Sequence, residues 1–469
     1  MAQETMLSSV DWLMPRTFIN QILCFPRGDH KVFELLKSSL RRLTVDVPYL
    51  LSGVVGQEHP RGSVRLTEPY QTLDELMTLY DSSHVLDYAT LRANNFPPTA
   101  LTNASIQPPD TTAPFLNPVP VFRAKLSLVK GGAILYVAIH HSTTDITGLG
   151  ALLKLWSSHC WPSPATDLGF NRSWCDRGPL LEISASWAGK TFDSNPELVH
   201  IIERSARSKA TGTPPRDVAY ETAIFYFPRQ TLQRLKVAVT EHLACLDNGV
   251  RWVSKGDIIA ALLWSATVWA EQTGDPETAP DAAITCTAGI PVNFRPRLNE
   301  PLPKHYLGAA FAMTKACVAQ RDLCFLSEKK PAEDVPLDSE FISTLARVSS
   351  AIRASLIVVD QPRIEDALGF VSSKSDITSV KLGPRHGGIS LVSWADEGVY
   401  ELDWGETIGM CDAVRLPKMR GKRYPIILPR LPKKNGHGEG LEVIVSFDRK
   451  TMARFRESQV IRLFGTLTC

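Results

Sequence analysis

The 469-residue sequence lacks the features that mark several large classes of protein. It has no run of about 18 consecutive apolar residues, the length that a membrane-spanning helix needs. Its first twenty residues contain neither the basic segment nor the apolar core of a signal peptide. With 51 Lys and Arg against 49 Asp and Glu, the net charge of +2 provides no broad basic surface for nucleic acid. We therefore expect a cytoplasmic protein that binds neither membranes nor nucleic acid.

Cysteine pairs and the common catalytic loops are missing as well. The nine Cys are dispersed singly with no C-x-x-C pair, which predicts reduced thiols, no disulfide framework and no metal site. No G-x-S-x-G motif and no phosphate-binding P-loop occur. The segment 148–153 resembles a dinucleotide-binding loop, but it lacks the third glycine and starts inside a predicted helix. A serine hydrolase and a nucleotide-dependent enzyme are both disfavoured.

The length and the order of predicted elements favour two α/β domains. A chain of 469 residues exceeds one ordinary hydrophobic core. The segment 210–215 is rich in Thr, Gly and Pro and is the best candidate for a linker, so we predict domains at 1–209 and 210–469. Helical and strand-like patterns alternate on both sides, which is typical of α/β or α+β layers.

The most informative stretch is His140-His141-Ser142-Thr143-Thr144-Asp145. It follows the apolar, β-prone run 134–139, and it precedes a run, 146–156, with apolar residues at helical spacing. His141 is a candidate general base at this strand-to-helix turn, whereas His140 alternates to the opposite face. Two ordinary interpretations remain open: a core histidine satisfied by a backbone carbonyl, and Asp145 as a simple helix N-cap. About 0.7 His-x-x-x-Asp matches are expected by chance in this composition, so the spacing needs support from elsewhere.

The second half contains further clusters in a fixed order. They are the cap segment 253–257 with Ser254 and Lys255, the segment 289–297 (GIPVNFRPR), the pair Ser393-Trp394, and the triplet Asp403-Trp404-Gly405. Each of them alone is compatible with ordinary loop chemistry.

Together, and in this order, the motifs resemble those of the BAHD acyltransferases, particularly the fungal branch that includes trichothecene O-acetyltransferases. The H-x-x-x-D signature of that family is complete at His141 to Asp145. Its D-F-G-W-G signature is partial, because Glu406 and Thr407 follow Asp403-Trp404-Gly405. The glycine that usually follows the Asp is displaced to Gly148. The resemblance implies a two-domain, chloramphenicol-acetyltransferase-like architecture with the active-site channel at the domain interface.

The resemblance also implies a role for each residue. His141 would deprotonate a hydroxyl or amine as it attacks an acyl-CoA in a ternary complex. Asp145 would form a structural ion pair with Arg295, so that Asp145→Ala would damage folding and activity together, while His141→Ala would mainly lower the rate. Asp403, Trp404 and Gly405 would be structural.

The co-substrate and acceptor follow from the same resemblance. Acetyl-CoA is the expected donor, with Ser254, Lys255, Ser393 and Trp394 along the CoA channel and no metal. A surface lysine beside a helix cap is an equally good interpretation of Lys255. The acceptor would be a small alcohol or amine of specialised metabolism, and the enzyme a monomer.

Two alternatives remain. A condensation-type domain shares H-H-x-x-x-D but takes acyl groups from carrier proteins, so turnover with free acyl-CoA would distinguish it. An inactive relative would bind CoA or a metabolite without releasing free CoA.

Overall fold

The structure is a computed structural model that describes residues 6–109, 111, 117–162, 169–187, 189–192, 194–202, 219–246, 249–272, 284–328, 338–383, 388–419, 425–432 and 439–469. The linker predicted at 210–215 lies outside the described residues.

Helices and strands alternate along the chain, which confirms the α/β prediction. The helices are α1 (Ser9–Leu13), α2 (His30–Asp46), α3 (Leu73–Leu76), α4 (Tyr88–Ala93), α5 (Ile146–Ser158), α6 (Gly178–Ser186), α7 (Arg229–Leu243), α8 (Lys255–Glu271), α9 (Gln320–Glu328), α10 (Ser339–Ile357), α11 (Gln361–Ser372), α12 (Arg449–Glu457) and α13 (Gln459–Phe464). The strands are β1 (Phe18–Phe25), β2 (Gly53–Gly56), β3 (Val64–Leu66), β4 (Met77–Asp81), β5 (Val119–Pro120), β6 (Phe122–Val129), β7 (Gly132–His140), β8 (Val199–Ile201), β9 (Tyr220–Pro228), β10 (Thr285–Asn293), β11 (Phe311–Ala319), β12 (Val380–Leu382), β13 (Ile389–Ser390), β14 (Val392–Ser393), β15 (Ala413–Arg415), β16 (Ile426–Ile427), β17 (Gly440–Asp448) and β18 (Thr466–Leu467).

The sheet that carries the His motif has the order β15-β1-β7-β6-β4. Its pairs are antiparallel except β4 with β6, and Phe18 on β1 lies opposite His140 on β7. Every residue of β6 and β7 is buried, because the sheet is covered on both faces. One face packs on α2 and α5, and the other packs on α4 and the segment 96–106.

The segment 96–120 is therefore more than the surface loop that its proline content suggests. Within its described part, Phe96, Leu101 and Ile106 are buried against the β1–β7 sheet. Proline removes backbone donors and regular periodicity but does not prevent apolar side chains from packing.

The second half builds two further sheets, β14-β16-β17-β9-β18 and β11-β10-β13. Helices α7, α8 and α10 pack with these strands in a separate apolar cluster. The segment 399–416 leaves this half and joins the first, because β15 pairs with β1. Its residues Tyr400, Trp404 and Val414 belong to the apolar cluster between the β1–β7 sheet and helices α2 and α5, which we call the first core. The division at 209/210 stays a prediction, with this crossing segment as a structural link between the halves.

In the part of the chain that the structure describes, no single helix is long and apolar enough to cross a membrane. Helices α10 and α11, bent by 65° at their junction, meet the length and composition of a broken span only when they are taken together.

Candidate active site

His141 lies at the turn between β7 and α5. The strand ends at His140, a single 3-10 turn covers His141–Thr143, and Asp145 caps the helix that follows. The backbone N–H of His141 donates to the Thr17 carbonyl at 2.8 Å, which anchors the turn to the chain that enters β1. The imidazole is partly buried, and its ring centroid lies 6.2 Å from that of Phe311, the first residue of β11. The ring therefore stands where the first half of the chain meets the second.

The tautomer of His141 follows from one contact. Its Nδ1 lies 3.0 Å from the carbonyl oxygen of Thr144. Because a carbonyl only accepts, Nδ1 carries the proton and Nε2 of the neutral ring keeps its lone pair. Burial lowers the pKa of His141 below its ordinary value, and the contact with Thr144 and the charge of Asp145 offset this only in part. The ring is therefore neutral at pH 7 and able to accept a proton.

His140 has different surroundings. Its ring packs edge-on against Phe18, with centroids 5.6 Å apart, and its Nδ1 accepts from the Ser142 N–H at 3.2 Å. Burial, together with the nearby Arg16 and His141, lowers the pKa of His140 to about 3. His140 is thus a buried histidine whose ring accepts a backbone hydrogen bond, whereas the carbonyl contact that the ordinary interpretation of His141 requires is present at His141 itself.

Asp145 is an N-cap and more. Its carboxylate accepts from the Gly148 N–H at 2.9 Å, as a capping residue does. The same carboxylate forms a bidentate ion pair with Arg295, at 2.9 Å from Nη1 and 2.8 Å from Nη2, and also accepts from the Ala310 N–H at 2.8 Å. Burial alone would raise the pKa of Asp145, but Arg295 and these donors outweigh it and hold the pKa below its usual range. Its oxygens are thus occupied by scaffold contacts.

The surroundings of Gly148 leave no room for a side chain at this position of α5. A Cβ atom at Gly148 would lie 2.6 Å from the Leu307 carbonyl oxygen and would also collide with the Thr144 hydroxyl. The first turn of α5 therefore packs directly on the backbone of residues 306–310, the segment that Arg295 also holds through the Tyr306 and Gly308 carbonyls.

Glu397 is a residue of the site for which the sequence offered no role. Its Oε1 accepts from the Thr147 hydroxyl at 2.9 Å, and its Oε2 rests against Gly150, where a Cβ atom would collide with it. Burial raises the pKa of Glu397 to about 7, with a further rise from Asp145 against the opposing effect of the Thr147 contact. This carboxyl group joins the turn after Ser393-Trp394 to the first turn of α5. A glutamate in a loop carries no sequence signal that would have indicated this.

Asp11 and Arg177 were likewise missed. They form a buried ion pair beneath the His141 turn, with Nε and Oδ2 3.2 Å apart. Asp11 stands three residues after Ser8 in a capping-box pattern, which is the only local signal that marks it. Arg177 directly precedes α6 as its N-cap residue, a position that no sequence motif marks.

The residues expected along the CoA channel occupy different environments. Ser254 caps α8 in a capping box with Asp257. Lys255 lines a surface cleft with Arg229, Arg430 and Glu439. Partial burial lowers the pKa of Lys255, and the cations Arg229, Arg430 and Lys236 lower it further. Lys255 thus lies in a cluster of charged side chains, in which Arg229 pairs with Glu439 and Arg430 pairs with Asp396.

Ser393 is the last residue of β14, an edge strand of the sheet β14-β16-β17-β9-β18, and Trp394 follows it directly. Ser393 is exposed, whereas Trp394 is 8% exposed and packs in the first core. Trp394 also donates its backbone N–H to the Ile427 carbonyl at 2.8 Å.

The Asp403-Trp404-Gly405 triplet forms a loop whose Trp404 side chain is buried in the first core. Trp404 is fully buried and packs edge-on against Phe25 and Trp156, with centroids 5.9 and 5.4 Å away. Asp403 accepts from the Gly405 N–H at 3.1 Å, and Gly405 has a φ of +85°. The loop lies against α5 and β1.

Among the described residues, no group of three or more His, Cys, Asp or Glu side chains could hold a metal ion.

Comparison with known proteins places this geometry in context. Residues 20–160 match the model of the trichothecene 3-O-acetyltransferase-like N-terminal domain. The O-acetyltransferase ptmV of Penicillium ochrochloron is 26% identical over 480 residues, which cover 96% of this chain and 94% of that protein. Trichothecene 3-O-acetyltransferase TRI101 of Fusarium sporotrichioides is 25% identical over 416 residues, which cover 86% of this chain and 83% of that protein.

Solved structures show the same fold. The crystal structure of F. sporotrichioides TRI101 complexed with coenzyme A and T-2 superposes with a TM-score of 0.78, at 20% identity, and covers 99% of this chain and 100% of that one. Vinorine synthase superposes with a TM-score of 0.56, at 16% identity, and covers 98% of this chain and 94% of that one. The predicted α/β architecture is thus confirmed by the solved structures, and the matches together support a trichothecene acetyltransferase-like, BAHD-type family.

Proposed function

We propose that the protein is an O-acyltransferase that moves an acetyl group from acetyl-CoA to a hydroxyl of a small secondary metabolite. The observation that carries the proposal is the contact between His141 Nδ1 and the Thr144 carbonyl, which leaves Nε2 as the unprotonated nitrogen of a ring at the meeting point of the two halves. The named functions of the relatives support it, since ptmV is an O-acetyltransferase and TRI101 was solved with coenzyme A and T-2.

The reaction follows from acid–base chemistry. An alcohol has a pKa far above neutrality, so it attacks a thioester slowly unless a base removes its proton as the new bond forms. His141 Nε2 accepts that proton while the alcohol oxygen attacks the thioester carbonyl. The tetrahedral intermediate then collapses with cleavage of the C–S bond, and the CoA thiolate takes the proton back from the imidazolium. His141 ends the cycle neutral.

Asp145 and Arg295 act as scaffold in this proposal. The Asp145 oxygens accept from Arg295 and from two backbone N–H groups, so the carboxylate is committed to holding the turn. Removal of one partner of a buried pair costs about 3–5 kcal/mol, because the other charge is left unpaired.

The cleft formed by Arg229, Lys255 and Arg430 is the proposed site for the phosphates of CoA. Charge-assisted hydrogen bonds from such cations to phosphate oxygens are strong. Arg229 and Arg430 already pair with Glu439 and Asp396, so a phosphate would share these two arginines with surface carboxylates. Ser254, Ser393 and the accessible edge of Trp394 would line the path from this cleft towards His141. Glu397 and its turn lie between the cleft and α5.

The proposal also covers the acceptor, the oligomeric state and the location of the protein. The acceptor is a small alcohol, with an amine as the alternative nucleophile. We propose a monomeric, cytoplasmic enzyme that binds neither membrane nor nucleic acid.

The test combines the purified protein, acetyl-CoA and a metabolite extract from the producing organism in which this activity is deleted. Release of free CoA and a metabolite heavier by one acetyl group are expected. His141→Ala is expected to lower the rate about 10²- to 10⁴-fold with an unchanged melting temperature. Asp145→Ala is the comparison variant, and it is expected to lose both rate and melting temperature.

Three outcomes would contradict parts of the proposal. A folded His141→Ala variant that keeps most of its turnover would remove His141 as the base. Transfer only from a carrier-bound acyl group would favour a condensation-type activity. CoA binding without release of free CoA, across several acyl donors and extracts, would indicate an inactive relative.

A further inference from the structure

A second buried ion pair, Asp11 with Arg177, lies beneath the turn that carries His141 (residues 141–145, here the catalytic turn). The two side chains are 0% and 2% exposed, and Arg177 Nε lies 3.2 Å from Asp11 Oδ2. Neither residue has a role in the reaction described above. A buried pair of this kind is weak evidence for stability, because its desolvation cost offsets most of its attraction. Its contacts therefore matter more than its presence.

Arg177 holds the catalytic turn from inside. Its Nη2 donates to the Thr143 carbonyl at 2.8 Å, between His141 and Asp145 in the sequence. The next carbonyl along the chain, that of Thr144, accepts the Nδ1–H of His141. Fixing the Thr143–Thr144 peptide plane restricts where the Thr144 carbonyl can point. Arg177 is thus one peptide unit away from the group that sets the tautomer of His141.

Asp11 ties the same turn to the second half of the chain. Its Oδ1 accepts from the Ala309 N–H at 3.1 Å, and the next N–H, that of Ala310, donates to Asp145 at 2.8 Å. Adjacent backbone donors are therefore held by the two carboxylates, Asp11 and Asp145. The ion pairs Asp11–Arg177 and Asp145–Arg295 clamp the turn and the segment 306–310 together from two sides.

We propose that Asp11 and Arg177 are positioning residues for the general base. They fix the Thr143–Thr144 peptide, so that His141 keeps its proton on Nδ1 and presents Nε2 to the acceptor. This role rests on the proposed function of His141. The alternative is a pair that only stabilises the fold, and the chain offers a matched example of such a pair in Arg415–Glu442. That pair is bidentate, each of its side chains is 5% exposed, and Arg415 also donates to the Asn95 carbonyl at 3.0 Å.

The experiment compares Asp11→Asn and the double variant Asp11→Asn/Arg177→Met with Glu442→Gln and Arg415→Met/Glu442→Gln. The readouts are melting temperature, kcat and KM for acetyl-CoA, and the ¹⁵N NMR shifts of histidine-labelled protein, which report tautomer and pKa. The His141 signals are identified by their loss in His141→Ala. This spectroscopic readout requires no acceptor.

The two sets of variants should separate. Both are expected to lower the melting temperature, but only the Asp11 set should lower kcat, about 10- to 100-fold, as is typical when the partner that orients a functional histidine is removed. KM for acetyl-CoA should stay within about threefold, because neither Asp11 nor Arg177 lines the proposed CoA cleft. A change of that size corresponds to about 0.5 kcal/mol, the usual effect of a substitution that removes no direct contact.

Asp11→Asn should also shift the titration of His141 to lower pH. Burial lowers the pKa of His141, and the groups that oppose this effect include Thr144, Asp145 and Asp11. Loss of the Asp11 charge removes one of them and leaves the cationic Arg177 unpaired, so both changes disfavour the imidazolium. His140 is neutral and adds no charge at these pH values.

An unchanged His141 tautomer, pKa and kcat in the folded Asp11 variants, at the same loss of melting temperature as the Glu442 set, would overturn the positioning role. That result would leave the role of His141 intact, since only an active His141→Ala variant contradicts the latter.

Discussion

Glu397 is a partly buried carboxyl group with a raised pKa, although the residue before it is exposed. It follows Asp396, which is exposed and pairs with Arg430 at 2.8 Å, while Glu397 turns inward to Thr147 and Gly150. Burial brings the pKa of Glu397 to about 7, from an ordinary value of 4.5. The folded protein thus binds this proton more tightly than the unfolded chain does.

We expect this difference to appear as a pH-dependent stability that Glu397→Gln abolishes. A raised pKa in the folded state stabilises the fold fully below the unfolded pKa of 4.5, and this contribution is lost as the pH rises to about 7. The melting temperature of the wild type minus that of Glu397→Gln should therefore fall between pH 4.5 and 7 and stay flat above pH 8 or so. Thermal melts at fixed ionic strength measure it.

The matched control for this prediction is Glu401→Gln, on an exposed side chain in the same loop. A wild-type minus Glu397→Gln difference that does not change with pH would mean that the carboxyl group does not titrate in this range.

At the scale of elements, the sequence pattern predicts much of what the structure contains. Lys130-Gly131-Gly132 between two apolar runs is a hairpin signal, and the structure has β6 and β7 there. The run 146–156, with its apolar residues at helical spacing, lies within α5. Both are long, strongly patterned and bounded by turn residues, which is where local signals are reliable. The run 45–55 has a strand-like sequence pattern after Pro48, but α2 continues to Asp46 and a 3-10 turn covers Pro48–Leu51, so that the strand covers only 53–56. Helix α2 packs on the sheet through Leu36, Leu40 and Leu43, and the helix continues through the exposed, β-prone Val45 in its last turn.

The loop that contains Trp404 contributes more to the stability of the fold than its sequence indicates. Its partial match to the family signature leaves the loop conformation open, yet the indole is fully buried between β1 and α5. We expect Trp404→Ala to lower the free energy of unfolding by about 3–5 kcal/mol, the usual cost of a large aromatic-to-alanine cavity. Trp404→Phe, which keeps most of the volume, should lose much less. Denaturant unfolding measures both.

Trp252→Ala is the control for the Trp404 prediction. This indole is 52% exposed and stacks on Arg353, so its loss should cost under about 1 kcal/mol. Equal losses at the two tryptophans would show that the loop does not anchor the first core.

At the scale of the whole molecule, the two halves are joined by chain that crosses between them. The segment 399–416 returns to pair with β1, and the segment 306–310 is held by Asp11 and Asp145 of the first half. A ligand bound between the halves should therefore stabilise the entire fold rather than one part of it.

Coenzyme A provides the test of this expectation. At about 100 times its dissociation constant it should add about 2.7 kcal/mol to the stability of the protein, seen as one shifted melting transition. Lys255→Ala and Arg430→Ala should each weaken CoA binding at least about tenfold, the effect of losing a charge-assisted hydrogen bond of about 1.5–3 kcal/mol. Calorimetric titration with CoA at low and high salt measures the affinity and its screening.

Arg363→Ala is the control for the CoA prediction, since this exposed arginine pairs with Asp360 and Glu197 rather than lining the cleft. CoA affinity that responds equally to all three substitutions would indicate a general charge effect. Affinity unchanged in Lys255→Ala and Arg430→Ala would move the phosphates elsewhere.

Local pattern was enough to locate the candidate base, the strand and helix that flank it, and the order of the motifs that carry the family resemblance. These depend on residues within a turn or two of each other, where periodicity and capping chemistry act. The partners of the site depend instead on chain topology: Asp145 meets Arg295, Asp11 meets Arg177, and Thr147 meets Glu397. The first pairing could be inferred only through the family, and the other two only from coordinates. A charge carries no mark of which distant charge will face it, because that is settled when the sheets and helices pack.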